Sequence, residues 1–254
     1  MEEAAIRPHR SQYWLNPKIT DQEAHEREVQ AVCEVYREAT KLAAEGVRVM
    51  SCDEKTSIQA LERAAPTKHT APRHVEKREF EYIRHGTTCL TANFDIVTGK
   101  IVTPTLGPTR DEKDFGLHIL HTIASDPTAR WVFVVDNLTT HLSETLVRIV
   151  AKREGLDIDL GKKGYRGILK NVASRRAFLV DRAHQIRFVY TPKHCSWLNQ
   201  IECWFSILAR RVLRRGSFVS VDDLKGRLLE FIEYFNRLFA KPFKWTFTGR
   251  PLAT

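Results

Sequence analysis

Three acidic residues stand in unlike settings along this chain. Asp53 closes the apolar run Val47-Arg48-Val49-Met50-Ser51-Cys52, and Asp136 closes Trp131-Val132-Phe133-Val134-Val135. Glu202 lies inside the aromatic-rich stretch Trp197-Leu198-Asn199-Gln200-Ile201-Glu202-Cys203-Trp204-Phe205. A buried carboxylate is costly to keep ionised unless it is paired or bound to a metal. Brought together, three such groups would make an all-oxygen site for hard divalent cations, Mg²⁺ or Mn²⁺. Two ions held about 3.5–4 Å apart lower the pKa of an attacking water or hydroxyl and steady the leaving oxygen of an in-line displacement at phosphorus.

Strands and helices must position these groups. The runs ending at Asp53 and Asp136 are strand candidates, the second apolar enough to be buried on both faces. Segments near 79–84, 87–95 and 100–106 are rich in Thr, Val, Ile, Phe and Tyr, with Thr98-Gly99 as a hairpin turn. Thr109 with Glu112 predicts the start of a helix over 110–125, and Ser143 predicts an N-cap for a helix to Arg153. Ile186–Tyr190 is a further strand. Leu198, Ile201, Phe205, Leu208 and Val212 recur at helical spacing, with Glu202 beside that stripe, and a last helix spans about 220–239. The order predicts an α/β fold, a mixed sheet flanked by helices. In such sheets ligands gather at the carboxyl ends of strands, where Asp53 and Asp136 are expected.

Around this core, residues 1–45 read as a basic and helical arm, starting with Arg7-Pro8-His9-Arg10 and becoming helical from about Asp21 to Ala44. Residues 46–254 read as the main domain, with a glycine-bearing basic insertion at 155–184.

Composition bounds the partners. The chain has 254 residues, 43% hydrophobic and 28% charged, as expected of a globular domain with its own core. No apolar run approaches the roughly 20 residues of a membrane span, so no membrane partner is expected. Five cysteines without a Cys-x-x-Cys pair predict plain thiols in a reducing compartment. The net charge is +9, and between Leu160 and Gly216 thirteen Lys or Arg face only two acids. So one-sided a block, surrounding Glu202, points to a polyanion, nucleic acid first.

The local sequences carry a resemblance. Asp53-Glu54-Lys55-Thr56-Ser57-Ile58-Gln59, then Val135-Asp136-Asn137-Leu138-Thr139-Thr140-His141, then Thr191-Pro192-Lys193-His194-Cys195-Ser196 leading into Trp197–Phe205, together resemble the DDE transposases, in particular the bacterial insertion-sequence branch of the mariner superfamily. The resemblance covers about 47–250. It implies a ribonuclease-H-like fold, two Mg²⁺ or Mn²⁺ ions, DNA strand cleavage followed by strand transfer, a homodimer or larger assembly on DNA, and a bacterial cytosolic, nucleoid-associated protein. It assigns Asp53, Asp136 and Glu202 as the catalytic metal ligands. Asn137 and Asn199 are expected to hydrogen-bond the carboxylates. His141 is either a locally bonded loop residue or a direct participant. Lys55 and Lys193 are candidate phosphate contacts, or solvated lysines. Glu54, next to Asp53 on an extended strand, should point to the opposite face.

Two departures from the resemblance matter. The stretch between Asp136 and Glu202 is longer than in many mariner relatives, and the basic insertion accounts for it. Full-length relatives also carry an N-terminal helix-turn-helix reader, and Arg7–Arg10 looks like the segment just after one. A catalytically silent DNA-binding fragment is therefore the alternative, with a structure-specific nuclease of the same fold as a third reading.

Overall fold

A computed structural model describes residues 21–249 together with Ile19. The segment Arg7–Arg10 lies outside the described residues. In chain order the elements are α1 (Gln22–Ala44), β1 (Val47–Arg63), β2 (Tyr82–Asp95), β3 (Ile101–Gly107), α2 (Glu112–Ala124), β4 (Arg130–Val135), α3 (Glu144–Arg153), α4 (Val172–Leu179), β5 (Ile186–Tyr190), α5 (Ile201–Leu208) and α6 (Val221–Leu238). Short 3₁₀ turns at Thr139–Leu142 and Ser196–Leu198 precede α3 and α5, and a π-helical turn, Ala209–Leu213, continues α5.

Local chemistry sets most of the boundaries. Asp21, Ser143 and Ser220 each accept a backbone N–H in the first turn of α1, α3 and α6, satisfying donors that have no helical partner. For α2 the cap is Asp111 in a reciprocal box with Asp114, not Thr109. Thr109 is spent differently: its hydroxyl donates to the Asp114 carboxylate at 2.6 Å. Gly99 occupies the β2–β3 turn at φ 70°, and a side chain there would run into the backbone of Lys241.

The sheet has five strands in the order β3-β2-β1-β4-β5. β1, β2 and β3 pair antiparallel, while β1, β4 and β5 pair parallel. β4, between β1 and β5, is buried on both faces. Val132 and Val134 face a core shared with α1, α5 and α6, and Trp131, Phe133 and Val135 face a second core under α2, α3 and α4. The sheet is thus covered by helices on both faces, as expected for an α/β arrangement.

Three expectations are corrected. β1 does not stop at Asp53; it runs on to Arg63, because its antiparallel pairing with β2 continues after the parallel pairing with β4 ends at Ser51. The two separate strands near 79–84 and 87–95 are one, β2. Within the insertion 155–184, expected to be irregular, lies α4, with Leu169 and Leu179 fully buried in the second core. The helical part of the expected arm is likewise packed: Val32, Cys33, Tyr36 and Ala39 of α1 are buried in the first core. The few large apolar residues of this segment fall on one helical face, and that face suffices.

Candidate active site

Sheet register places the first two acids. Ser51 pairs with Val134 across the parallel β1/β4 ladder. Asp53 and Asp136 each lie two residues further on, Asp53 still within β1 and Asp136 just past the end of β4. Asp53 is 7% exposed. Burial and the neighbouring Asp136 charge push its carboxyl up to about 7. Two contacts favour its ionised form: the Glu54 backbone N–H donates to it at 2.8 Å, and the Asn199 side-chain amide donates at 3.2 Å.

Asp136 goes the other way. Burial opposes its charge, but His141, the Leu138 N–H and Arg110 together outweigh burial and hold the carboxyl below its ordinary value. His141 Nδ1 lies 2.7 Å from the Asp136 carboxylate, and Nε2 lies 3.1 Å from Glu54. Burial alone would discharge this imidazole, yet its hydrogen bonds to Asp136 and Glu54 prevail and raise its pKa to about 10. As an imidazolium it donates from both nitrogens. Tyr190 donates to the His141 carbonyl at 2.9 Å, and Phe115 packs against the ring with centroids 4.1 Å apart.

The approach to Glu202 is anchored to β1. Ser51 donates to the Asn199 side-chain carbonyl and accepts the Ile201 N–H at 2.8 Å. Asn199 donates to the Cys52 carbonyl at 3.1 Å as well as to Asp53. From α1, Tyr36 donates to the Leu198 carbonyl at 3.0 Å. Glu202 itself is half-buried in the first turn of α5.

The structure therefore brings Asp53, Asp136, His141 and Asn199 together. It does not gather Glu202 into their contacts, and among the described residues no three His, Cys, Asp or Glu side chains form a ready metal cluster. Asn137 does not bond a carboxylate. Its amide donates to the Thr191 carbonyl at 2.8 Å and its oxygen accepts from Arg176 at 3.0 Å, lacing the ends of β4 and β5. Lys55 lies over the Phe205 ring at 5.9 Å. Lys193 is exposed and, with Asp136, Thr191 and Ser196, lines an open cavity of about 230 Å³. Within the helix stripe, Trp204 and Phe205 are core, whereas Trp197 is 53% exposed.

Glu54 is the residue whose part the sequence did not convey. It does point to the opposite face from Asp53, and there it meets His141 with its side chain only 2% exposed. An acid directly after Asp53, and a histidine five residues after Asp136, were the available signals. Ser51, the one hydroxyl in an apolar run, was the signal for the tie to α5.

The donor set fits a divalent cation at the two aspartates. Both are hard oxygen ligands, His141 is already spent on Asp136 and Glu54, and no Lys or Arg among the described residues makes an ion pair with Asp53.

The fold is ribonuclease-H-like: a mixed five-stranded sheet with helices on both faces and carboxylates where its two central parallel strands part. The sequence pattern of the DDE superfamily endonucleases matches residues 48–225, and the chain belongs to that family. Among solved structures it is similar to the Mos1 mariner paired-end complex with Mn, at 13% identity and a TM-score of 0.52 over 88% of this chain and 59% of that one. It is also similar to the Mos1 transposase paired-end complex with left transposon end, at 14% identity and a TM-score of 0.52 over 88% of this chain and 58% of that one. The chain thus spans about three-fifths of the length of these relatives, and at such identity the likeness is one of fold. No curated protein matches the sequence.

Proposed function

We propose that this chain is a transposase catalytic domain that cuts DNA strands and joins them to a target, using two Mg²⁺ or Mn²⁺ ions. The observation that carries the reading is the pair Asp53 and Asp136, each two residues beyond the Ser51–Val134 pairing, with Asp53 lifted to about 7 by burial first and by the neighbouring Asp136 charge second. Asp53 and Asp136 would hold the metal, and Glu202 would complete the set by turning its side chain from the anchored start of α5. His141 keeps Asp136 ionised and oriented. Asn199 orients one oxygen of Asp53. Lys193, on the rim, would meet a DNA phosphate, and the basic stretch 160–216 would track the backbone.

The solved relatives are paired-end complexes, one of them with a transposon end. Their likeness supports DNA as the partner here and an assembly of two or more copies upon it. A place in the bacterial insertion-sequence branch, and hence in the cytosol beside the nucleoid, rests on the sequence blocks around the three acids. Among the described residues no helix is long and apolar enough to cross a membrane. A catalytically silent DNA-binding role is favoured by one observation, the separation of Glu202 from the aspartate contacts. Nicking of duplex DNA in Mg²⁺ or Mn²⁺, lost in Glu202→Gln, supports the enzyme. Salt-sensitive binding with no nicking in either metal selects the silent reading.

A further inference from the structure

A second cleft lies along the far half of α5, whose first turn carries Glu202. Its floor is apolar, formed by Ile207, Phe231, Phe235 and Phe243, and its volume is about 280 Å³. Its rim carries two exposed rings, Tyr234 and Phe239, whose centroids are 5.4 Å apart, and three cations, Arg210, Arg211 and Lys241. No acid lines it, and none of the three cations makes an ion pair among the described residues. Both arginines stand in the π-helical turn Ala209–Leu213. Such turns are rare, and they recur at functional sites.

Exposed rings beside unpaired cations match one chemistry well: a flat aromatic base to stack on the rings and a phosphate for the cations. The volume falls near the roughly 300 Å³ lower end of small-ligand clefts, room for one nucleotide unit and not for a duplex. We propose that this cleft holds a single unpaired nucleotide of the DNA strand that the catalytic site engages. Arg210 follows Glu202 by eight residues, a rise of about 12 Å along the helix. The proposal rests on the reading of the chain as a DNA-cutting enzyme and adds a subsite to it.

The test uses the full chain with chelator present, so that binding is read without cleavage. One probe is a blunt duplex; the other carries a four-nucleotide single-stranded extension containing 2-aminopurine. The expected result is about tenfold tighter binding of the extended probe, with its 2-aminopurine emission quenched by stacking. Phe239→Ala and Tyr234→Ala should each remove the preference and the quenching. Should either ring variant lose its fold by circular dichroism, Arg210→Gln with Arg211→Gln carries the test, and should remove the preference for the extended probe. Equal binding of the two probes by the wild type, or a preference untouched by all these variants, overturns the proposal. Displacement of the extended probe by an acidic, aromatic-bearing peptide more readily than by single-stranded DNA also overturns it, and assigns the cleft to a protein partner. Metal-dependent nicking of the blunt duplex separates the two readings. If Phe239→Ala retains it while showing no loss of preference, the cleft is wrong and the enzyme stands.

Discussion

At the residue scale the account turns on two oppositely shifted aspartates. Asp53 has a folded-state pKa of about 7 against an ordinary 3.8. Between those values the native state holds a proton that the unfolded chain has released, so this group's contribution to stability is full below pH 3.8 and is lost as pH rises to about 7. In chelator, Asp53→Asn should therefore gain stability relative to wild type across that window, by about 2 kcal/mol, read from urea midpoints at several pH values. A constant difference would contradict the burial and repulsion assigned to Asp53. His141 also has a raised pKa, about 10 against 6.5, so its contribution is full below pH 6.5 and fades as pH rises towards 10. His141→Ala leaves Glu54 buried and unpaired and should cost about 3 kcal/mol at neutral pH. Adding Glu54→Gln should restore part of that loss, since the two changes remove one interaction. If the double variant shows simple additivity, the bond between them carries no energy. Asp53 and Asp136 were legible in the sequence because each follows an apolar run. Glu54 was not, because strand alternation says which way a side chain points and not what will be waiting there.

At the element scale the site depends on how α5 is fastened to β1. Ser51 serves two bonds at once, to the Asn199 side chain and to the Ile201 N–H. Ser51→Ala would leave both partners buried and short of a bond, at about 1–3 kcal/mol. It should also lower the nicking rate more than the affinity for DNA, because the change loosens Glu202 and touches no phosphate contact. A loss confined to DNA affinity would argue that the fastening does not position Glu202. Helix and strand types followed from caps and periodicity: Ser143 caps α3 as its side chain allows, whereas at α2 Asp111 takes the place expected of Thr109. What periodicity missed is pairing. β1 runs on past Asp53 because β2 continues to pair with it, and α4 forms inside a glycine-bearing stretch because Leu169 and Leu179 have a core to enter. Both are tertiary effects, invisible to a local window.

At the scale of the whole molecule, α1 belongs to the structure that holds the site. Tyr36 braces Leu198, and Glu28 pairs with Arg176, which in turn bonds Asn137 between the ends of β4 and β5. A chain beginning at Glu45 would lose Val32, Cys33 and Tyr36 and expose the apolar surface of the first core that they cover. That truncation should not fold cooperatively, as read by thermal melting with near-ultraviolet circular dichroism; a sharp native-like transition would show that α1 is dispensable. The sequence placed this helix but not its docking, since a few medium-sized apolar residues in a charged helix do not announce the surface they meet. The central claim is that Asp53 and Asp136 form a metal-dependent centre for cutting DNA. It is tested most directly by assaying nicking of supercoiled DNA by the wild type and by Asp136→Ala, each with Mg²⁺, with Mn²⁺ and with chelator. Nicking by the wild type in either metal, absent in chelator and reduced at least about a thousandfold in Asp136→Ala, is the result predicted; undiminished nicking by Asp136→Ala would contradict it.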